Sequence, residues 1–399
     1  MKRTLALTLL LLGSGPALAR AQLPAIRGYN LTVPIWSDST DFAVGGFGLI
    51  DRARLMSRPA VGDLALEAAY EHVLTYSQRA APGAGSVVGV IVPGGGEWAK
   101  LQWTIAEEDR VAWGHRFDRL NLQWAPTELL QINAGRQTIS WATTLILTPA
   151  DPFIPFDPSD PFREYRAGVD ALRVQAFPGQ FTEFDFVVRP AKTRVGDHVV
   201  DETLTVLARA RTLWQGWELS AWGGALHDEP AGAVSTSGGI GRVAVRGEAS
   251  LRSVDDELFF RGTAGIDTRF DLLSRDLYLV FEYQHDEFGA SGAEDLVTVI
   301  SSGPFARGEL QALSQDITVG QAAYQVHPLL TLDALVLWSL SDGSLLLAPG
   351  ATYSASNEVT LRLGGFVGFG DDVSGTLDPI PSEYGIVPAI FYASVSAFF

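Results

Sequence analysis

The feature that most limits what this chain can fold into is a period-two alternation of apolar and polar residues that keeps returning along it. Leu120, Leu122 and Trp124 alternate with Arg119, Asn121 and Gln123. Phe184, Phe186 and Val188 alternate with Glu183, Asp185 and Arg189. Val243, Val245, Gly247, Ala249 and Leu251 alternate with Arg246, Glu248, Ser250 and Arg252. The pattern recurs around Phe260 to Phe270, Leu277 to Asp286, and Val359 to Phe369. Successive side chains on a strand point to opposite faces, so each segment reads as a strand with one apolar and one charged face. One such segment would suit a soluble sandwich equally well. Many of them, each of ~10 residues and with no helical segment of comparable strength, make the pattern of a transmembrane barrel. The expected fold is therefore all-β: a transmembrane antiparallel up-and-down β-barrel of about 16 strands, within a range of 14 to 18. Only Trp98 to Arg110 carries a helix-like pattern that competes with this reading.

The N-terminus fits an exported protein. Lys2 and Arg3 precede an apolar run from Leu5 to Leu12, and small residues follow up to Ala21. This is the layout of a secretory signal peptide spanning 1–21, leaving 22–399 as a single barrel domain. Its removal takes Lys2, Arg3 and Arg20 with it and moves the formal charge from −17 to −20. The chain has no cysteine, so export here goes with no disulfide framework. No later apolar run is long enough for a membrane helix. The acidic balance argues against nucleic acid as a partner, because no basic stretch could neutralise a row of phosphates.

Connections fall into two kinds. Tight ones include Ala125-Pro126-Thr127, Phe177 to Gln180, Gln215-Gly216 and His327-Pro328. Long ones are expected at 78–111, 141–166, 190–202, 289–316 and 370–386. Outer-membrane barrels place short turns on the periplasmic side and long loops outside. Counting strands back from Phe399 and forward from residue 45 gives results that differ by one strand between 228 and 258. A hairpin over 235–253 would reconcile them.

One of the long loops is unusual. From Gly135 to Arg173 the chain carries Pro149, Pro152, Pro155, Pro158 and Pro161, which neither a helix nor a central strand accommodates. Around these prolines stand Arg136, Asp151, Asp157, Asp160, Arg163, Glu164, Arg166, Asp170 and Arg173. A stiff loop with both signs of charge reads in two ways. It is an inward-folded constriction whose charges act on solutes, or an external loop held to the rim by Arg–Asp latches.

The polar strand faces add candidate pore-lining residues: Arg209, Arg211, Arg246, Glu248, Arg261, Asp267, Arg269, Glu282 and Arg362. On these faces the arginines Arg119, Arg189, Arg209, Arg211, Arg246, Arg252, Arg261, Arg269 and Arg362 outnumber the acids Glu183, Asp185, Glu248, Asp267, Glu282, Asp286 and Asp333. A basic lumen lowers the barrier for anions. Pairing of these charges across neighbouring strands is the plainer alternative. Catalysis has little support: the histidines are scattered, and no HExxH, GxSxG or clustered metal-ligand spacing occurs. His285 next to Asp286 is the best-placed catalytic candidate. No cofactor is expected.

Short islands carry a family resemblance. Asp118 to Leu122, Gly135-Arg136-Gln137 with Ile139-Ser140-Trp141, Pro149 to Pro155, and Arg166-x-Gly168-x-Asp170 to Arg173 resemble Gram-negative outer-membrane barrels grouped with porins and alginate-export-like proteins. Phe305 to Leu310 and Ser341 to Ser344 are similar to the same group. Ala142 stands where that family commonly has Gly. The C-terminal face Phe391, Ala393, Val395, Ala397 and Phe399 likewise resembles the terminal-strand signal read by the barrel-assembly machinery, which makes that machinery an expected partner. The resemblance implies an outer-membrane location amid lipid and lipopolysaccharide. It also implies a channel for small-molecule or oligosaccharide solutes. A structural or adhesive barrel with a filled pore, and a barrel-anchored lipid hydrolase, are the alternatives.

Overall fold

The computed structural model describes residues 26–39, 45–78, 96–153, 162, 165–195, 198–371 and 380–399. The expected signal peptide, 1–21, and the loop positions Asp157, Asp160, Arg163 and Glu164 lie outside the described residues.

Eighteen strands form one closed antiparallel sheet. The first nine are β1 (Arg27–Ser37), β2 (Gly46–Ser57), β3 (Leu64–Ser77), β4 (Val111–Thr127), β5 (Leu130–Gln137), β6 (Val169–Gly179), β7 (Thr182–Val195), β8 (His198–Trp214) and β9 (Trp217–Leu226). The others are β10 (Glu229–Ile240), β11 (Val243–Val254), β12 (Glu257–Leu272), β13 (Arg275–Asp286), β14 (Asp316–His327), β15 (Leu330–Ser339), β16 (Leu345–Ser354), β17 (Val359–Phe369) and β18 (Ile390–Phe398). Each pairs with the next in sequence. The barrel closes where β1 meets β18, with Tyr29 opposite Phe398 and Ser37 opposite Ile390. Two shorter strands, Ala60–Val61 and Gln102–Glu108, pair onto β3 and β4.

The strand number is higher than the ~16 read from the alternation. The discrepancy comes from the stretch between β8 and β13, where the turns at both ends of the barrel are tight. His227 and Asp228 have φ of 55° and 68°, Asp255 and Asp256 have 52° and 66°, and Leu273 and Ser274 have 51° and 60°. Positive φ at both central residues matches the type I′ hairpin, which normally advertises itself with Asn-Gly or Asp-Gly. Here non-glycine pairs adopt it, so length and composition no longer distinguish one end of the barrel from the other. The expected hairpin does exist, as β10 and β11. Segment 190–202, expected as a long loop, instead belongs to β7 and β8, with Lys192 opposite Glu202. The helix-like stretch Trp98–Arg110 holds the strand Gln102–Glu108.

Outward faces are apolar: Leu122, Phe184, Phe186, Phe260, Phe281, Leu363, Phe391 and Val395 are all exposed. Inward positions such as Glu183, Asp185, Glu248, Arg252, Arg261 and Glu282 are buried although charged. Two apolar clusters lie inside the barrel. One joins Leu147 and Phe162 to Tyr29, Leu31, Val33 and Tyr392. The other joins Trp141 and Phe153 to Val187, Leu207 and Trp222. Both contain residues of the proline-rich loop, so the described part of that loop lies within the barrel.

Candidate functional site

The loop between β5 and β6 leaves and re-enters the wall at two glycines. Gly135 has φ of +117°, and any Cβ there would strike the Leu120 carbonyl oxygen. A Cβ at Gly168 would strike the Asp118 carbonyl oxygen and the Arg136 side chain. Between these glycines Arg136 pairs with Asp170, Nε to Oδ1 at 2.9 Å and Nη2 to Oδ2 at 2.8 Å. Because β5 stops at Gln137, the upper flank of β4 would be left open. The strand Gln102–Glu108 pairs with β4 there, over Val111–Arg116. The same hairpin is tied to the foot of the loop: Arg136 Nη2 donates to the Ala99 carbonyl oxygen at 2.6 Å, and Ala99 N donates to Asp170 Oδ2 at 2.9 Å.

From Trp141 onward the loop runs along the inner wall, held chiefly through its own backbone. Trp141 Nε1 donates to Asp185 on β7 at 2.9 Å. The Glu248 carboxylate on β11 accepts from the backbone N–H groups of Thr143, Thr144 and Ala150 at 2.8, 3.1 and 3.1 Å. The Glu282 carboxylate on β13 accepts from those of Leu145, Ile146 and Leu147 at 2.6, 3.0 and 2.8 Å. Gln311, in the 287–315 loop, accepts from Thr148 N. Trp222 Nε1 on β9 donates to the Ala150 carbonyl oxygen. Farther along, Arg52 on β2 donates to the Phe162 carbonyl oxygen at 2.8 Å, and the Arg54 guanidinium sits 4.5 Å from the Tyr165 ring centre. The loop therefore touches β7, β11, β13, β9 and β2. Its backbone donors, unsatisfied by any strand partner, are answered by buried wall carboxylates.

Within the loop, Asp151 accepts from Ser140 Oγ, Trp141 N and Phe153 N, and pairs with Arg166 at 2.6 Å. Burial pushes its carboxyl above the ordinary range, against the pull of Arg166 and those donors.

The arginines of the wall face acids rather than one another. Arg173 meets Asp185 at 2.5 Å, Arg211 meets Glu183 at 2.6 Å, and Arg209 lies between Glu183 and Asp185. Arg246 meets Asp267 at 2.9 Å, Arg261 meets Asp286 at 2.7 Å, Arg269 meets Asp276 at 3.0 Å and Arg362 meets Asp333 at 2.7 Å. A separate cluster adds residues with no distinguishing pattern in the sequence: Arg54, fully buried, bonds both Glu71 and Asp118, and Arg116 and the polar-face Arg119 join it. Glu309, which pairs with Arg252 and Arg307, was likewise not singled out. The only signal these residues offer is their strand phase or, for Glu309, its place between charged neighbours.

His285 and Asp286 do not form a pair. They point to opposite faces: Asp286 bonds Arg261 inside, while His285 Nδ1 lies 2.8 Å from Asp316 on the outward side, against Phe260. Among the described residues no group of three or more metal-ligating side chains comes together.

No protein-family model matches the chain, and no curated protein matches it in sequence. Its fold does match solved structures. OccK2 of Pseudomonas aeruginosa, in complex with glucuronate, aligns at a TM-score of 0.54 and 10% identity over 94% of this chain and 98% of that one. OpdK of the same organism, an outer membrane protein solved with vanillate, aligns at 0.52 and 10% over 94% and 98%. A BenF-like porin from Pseudomonas fluorescens Pf-5 aligns at 0.54 and 8% over 95% and 99%. These neighbours carry the porin half of the resemblance drawn from the sequence and give nothing to the alginate-export half. At these identities the likeness is one of fold.

Proposed function

We propose that the chain is an outer-membrane channel for passive passage of small polar solutes, with a preference for carboxylates and other anions. The observation that carries the membrane part is the outward face. Large apolar residues such as Phe184, Phe260, Phe281 and Leu363 stand exposed on strand after strand, far more apolar surface than a soluble monomer leaves to water. The N-terminal segment 1–21 supplies the export signal, and the terminal Phe399 the assembly signal. The fold neighbours OccK2 and OpdK were solved with glucuronate and vanillate, both carboxylates.

The anion preference draws on how the ion pairs are presented. In several of the wall's ion pairs the arginine is the more exposed partner. Side-chain exposure is 41% for Arg211 against 9% for Glu183, and 28% for Arg116 against 5% for Glu71. It is 27% for Arg246 against 13% for Asp267, and 25% for Arg362 against 17% for Asp333. A neutral pair with its cation turned to the lumen offers a solute a positive surface, without the cost of unpaired buried charge. The described part of the 141–166 loop narrows the lumen by lying along its wall.

A planar-bilayer recording of the purified protein tests this reading. Stepwise conductance is expected, with a reversal potential on the anion side in a salt gradient. Deleting 149–162 should enlarge the conductance. The two apolar clusters between loop and wall favour a second reading, a barrel whose lumen is filled. Silence at all voltages, before and after the deletion, would select it.

A further inference from the structure

We infer that a small cavity between Pro149–Phe153 of the loop, the turn at 227–228 and the 287–315 loop is a binding site for one small inorganic anion of chloride's size. The cavity measures about 20 Å³. Arg189, Ser250, Arg252, Arg261, Arg307 and Glu309 line it, with Pro149, Pro152, Phe153 and Asp151, the last already paired with Arg166, across from them. Arg189, Ser250, Arg252 and Arg261 are each no more than 3% exposed, so the donors on the wall side of the cavity are held away from bulk water.

The bonding around it leaves a surplus of donors and of positive charge. Arg261 is paired with both oxygens of Asp286 and also donates to the Glu309 carbonyl oxygen. The single carboxylate of Glu309 serves both Arg252, at 2.5 Å, and Arg307, at 2.5 Å. That leaves Nε and Nη2 of Arg252 and the Ser250 hydroxyl buried without a hydrogen-bond partner. His227 adds no further charge: burial, with Arg189, Arg307 and Arg252 beside it, holds it down to about 3 despite Glu309. A water molecule would fit the space. It would accept from these donors but bring two hydrogens of its own and leave the second guanidinium uncompensated. A monatomic anion accepts from every donor and cancels that charge. Bound there, it would tie the loop that lines the lumen to the wall and to the 287–315 loop. The site does not depend on transport and would exist equally in a barrel that conducts nothing.

The test uses the full-length barrel in detergent at constant ionic strength. Replacing gluconate by chloride or bromide should raise the unfolding temperature along a saturating curve, as expected of a ligand that binds only the folded state. Glucuronate, too bulky for the cavity, should give no rise. Ser250→Ala keeps every charge and should raise the half-saturating chloride concentration about tenfold, the loss of one hydrogen bond. Arg252→Met should abolish the rise, and if that variant does not fold the serine variant still decides. Crystals soaked in bromide should show an anomalous peak beside Ser250 and Arg252. Equal unfolding temperatures in gluconate and chloride, with no bromide peak, would mean that the cavity holds water and would overturn the proposal. A rise with glucuronate matching that with chloride would overturn it too, by showing a site open to solutes.

Discussion

Arg136 and Asp170 are register partners on β5 and β6, joined by two parallel hydrogen bonds of 2.9 and 2.8 Å, and together they clamp the two feet of the loop that enters the barrel. Arg136 is buried and Asp170 half-buried, and the pair also holds the 96–101 segment through Ala99. Asp170→Ala should therefore cost about 3 kcal/mol of unfolding free energy, since it leaves a buried guanidinium with two carbonyl oxygens and the partly exposed Glu97. Arg136→Lys keeps the charge but loses the fork, and should cost less. Urea titration of the detergent-folded protein measures both. Equal, negligible losses would mean that the clamp contributes nothing.

Glu248 and Glu282 present a different dependence, because their partners are backbone N–H groups that have no other acceptor. Glu282→Ala leaves three such donors buried and should destabilise by about 3 kcal/mol or more at ~1–3 kcal/mol each. Conductance should report the same loss: with Leu145 to Leu147 released, single-channel current should become larger and noisier. Glu282→Gln keeps the shape and one acceptor and should lie between. Bilayer traces indistinguishable from the parent would remove the loop from the conduction path.

How far the sequence reveals this arrangement depends on which surface each strand faces. On β4, β7, β11 and β12 the lumen side is charged and the outer side apolar, so the alternation reads directly. On β1 the order is inverted. Tyr29, Leu31 and Val33 point inward because Leu147 and Phe162 cover them, while Asn30 and Thr32 bond Asp51 on the outward side. A rule that assumes a wet lumen therefore turns this strand inside out. Glu248 and Glu282 are legible as polar-face residues, but their role as anchors is not. Thr143 is 105 positions from Glu248, and Leu147 is 135 from Glu282. Peptide N–H groups also carry no side-chain signature. The arginines were legible as inward-facing. Their pairing needed the barrel's register, which the miscounted hairpins obscured.

Charge selectivity should respond to the half-exposed arginines. Arg211→Gln, Arg246→Gln and Arg362→Gln together leave Glu183, Asp267 and Asp333 with less compensation. They should move the reversal potential in a potassium chloride gradient towards the cation side. The shift should shrink above ~0.1 M salt, where the Debye length falls below about 10 Å. Arg269→Gln removes a charge that is 68% exposed and paired with an exposed Asp276, so its effect should be smaller. An unchanged potential in the triple variant would mean that these ion pairs present no net field to solutes.

The last dependence is on pH and runs through His227. Burial first, and then the neighbouring arginines, hold its imidazole down to about 3 in the folded chain, against 6.5 ordinarily. Below pH ~6.5 the unfolded chain binds a proton that the folded chain refuses, so stability is lost as pH falls and the loss continues towards the folded value. At about 1.4 kcal/mol per pH unit, lowering the pH from 6.5 to 5 should cost about 2 kcal/mol from this group alone. His227→Asn removes the titration and suits the left-handed backbone, φ 55°, at that position. The difference in urea midpoint between parent and variant, measured in chloride-free buffer at pH 7.5 and 5, isolates the contribution from other carboxylates that titrate in both. The parent should lose more than the variant. Parallel losses would show that the imidazole takes up its proton freely in the folded barrel. An excess loss that narrows when chloride is added would place an anion next to the ring, since a bound negative charge lowers the cost of protonating it.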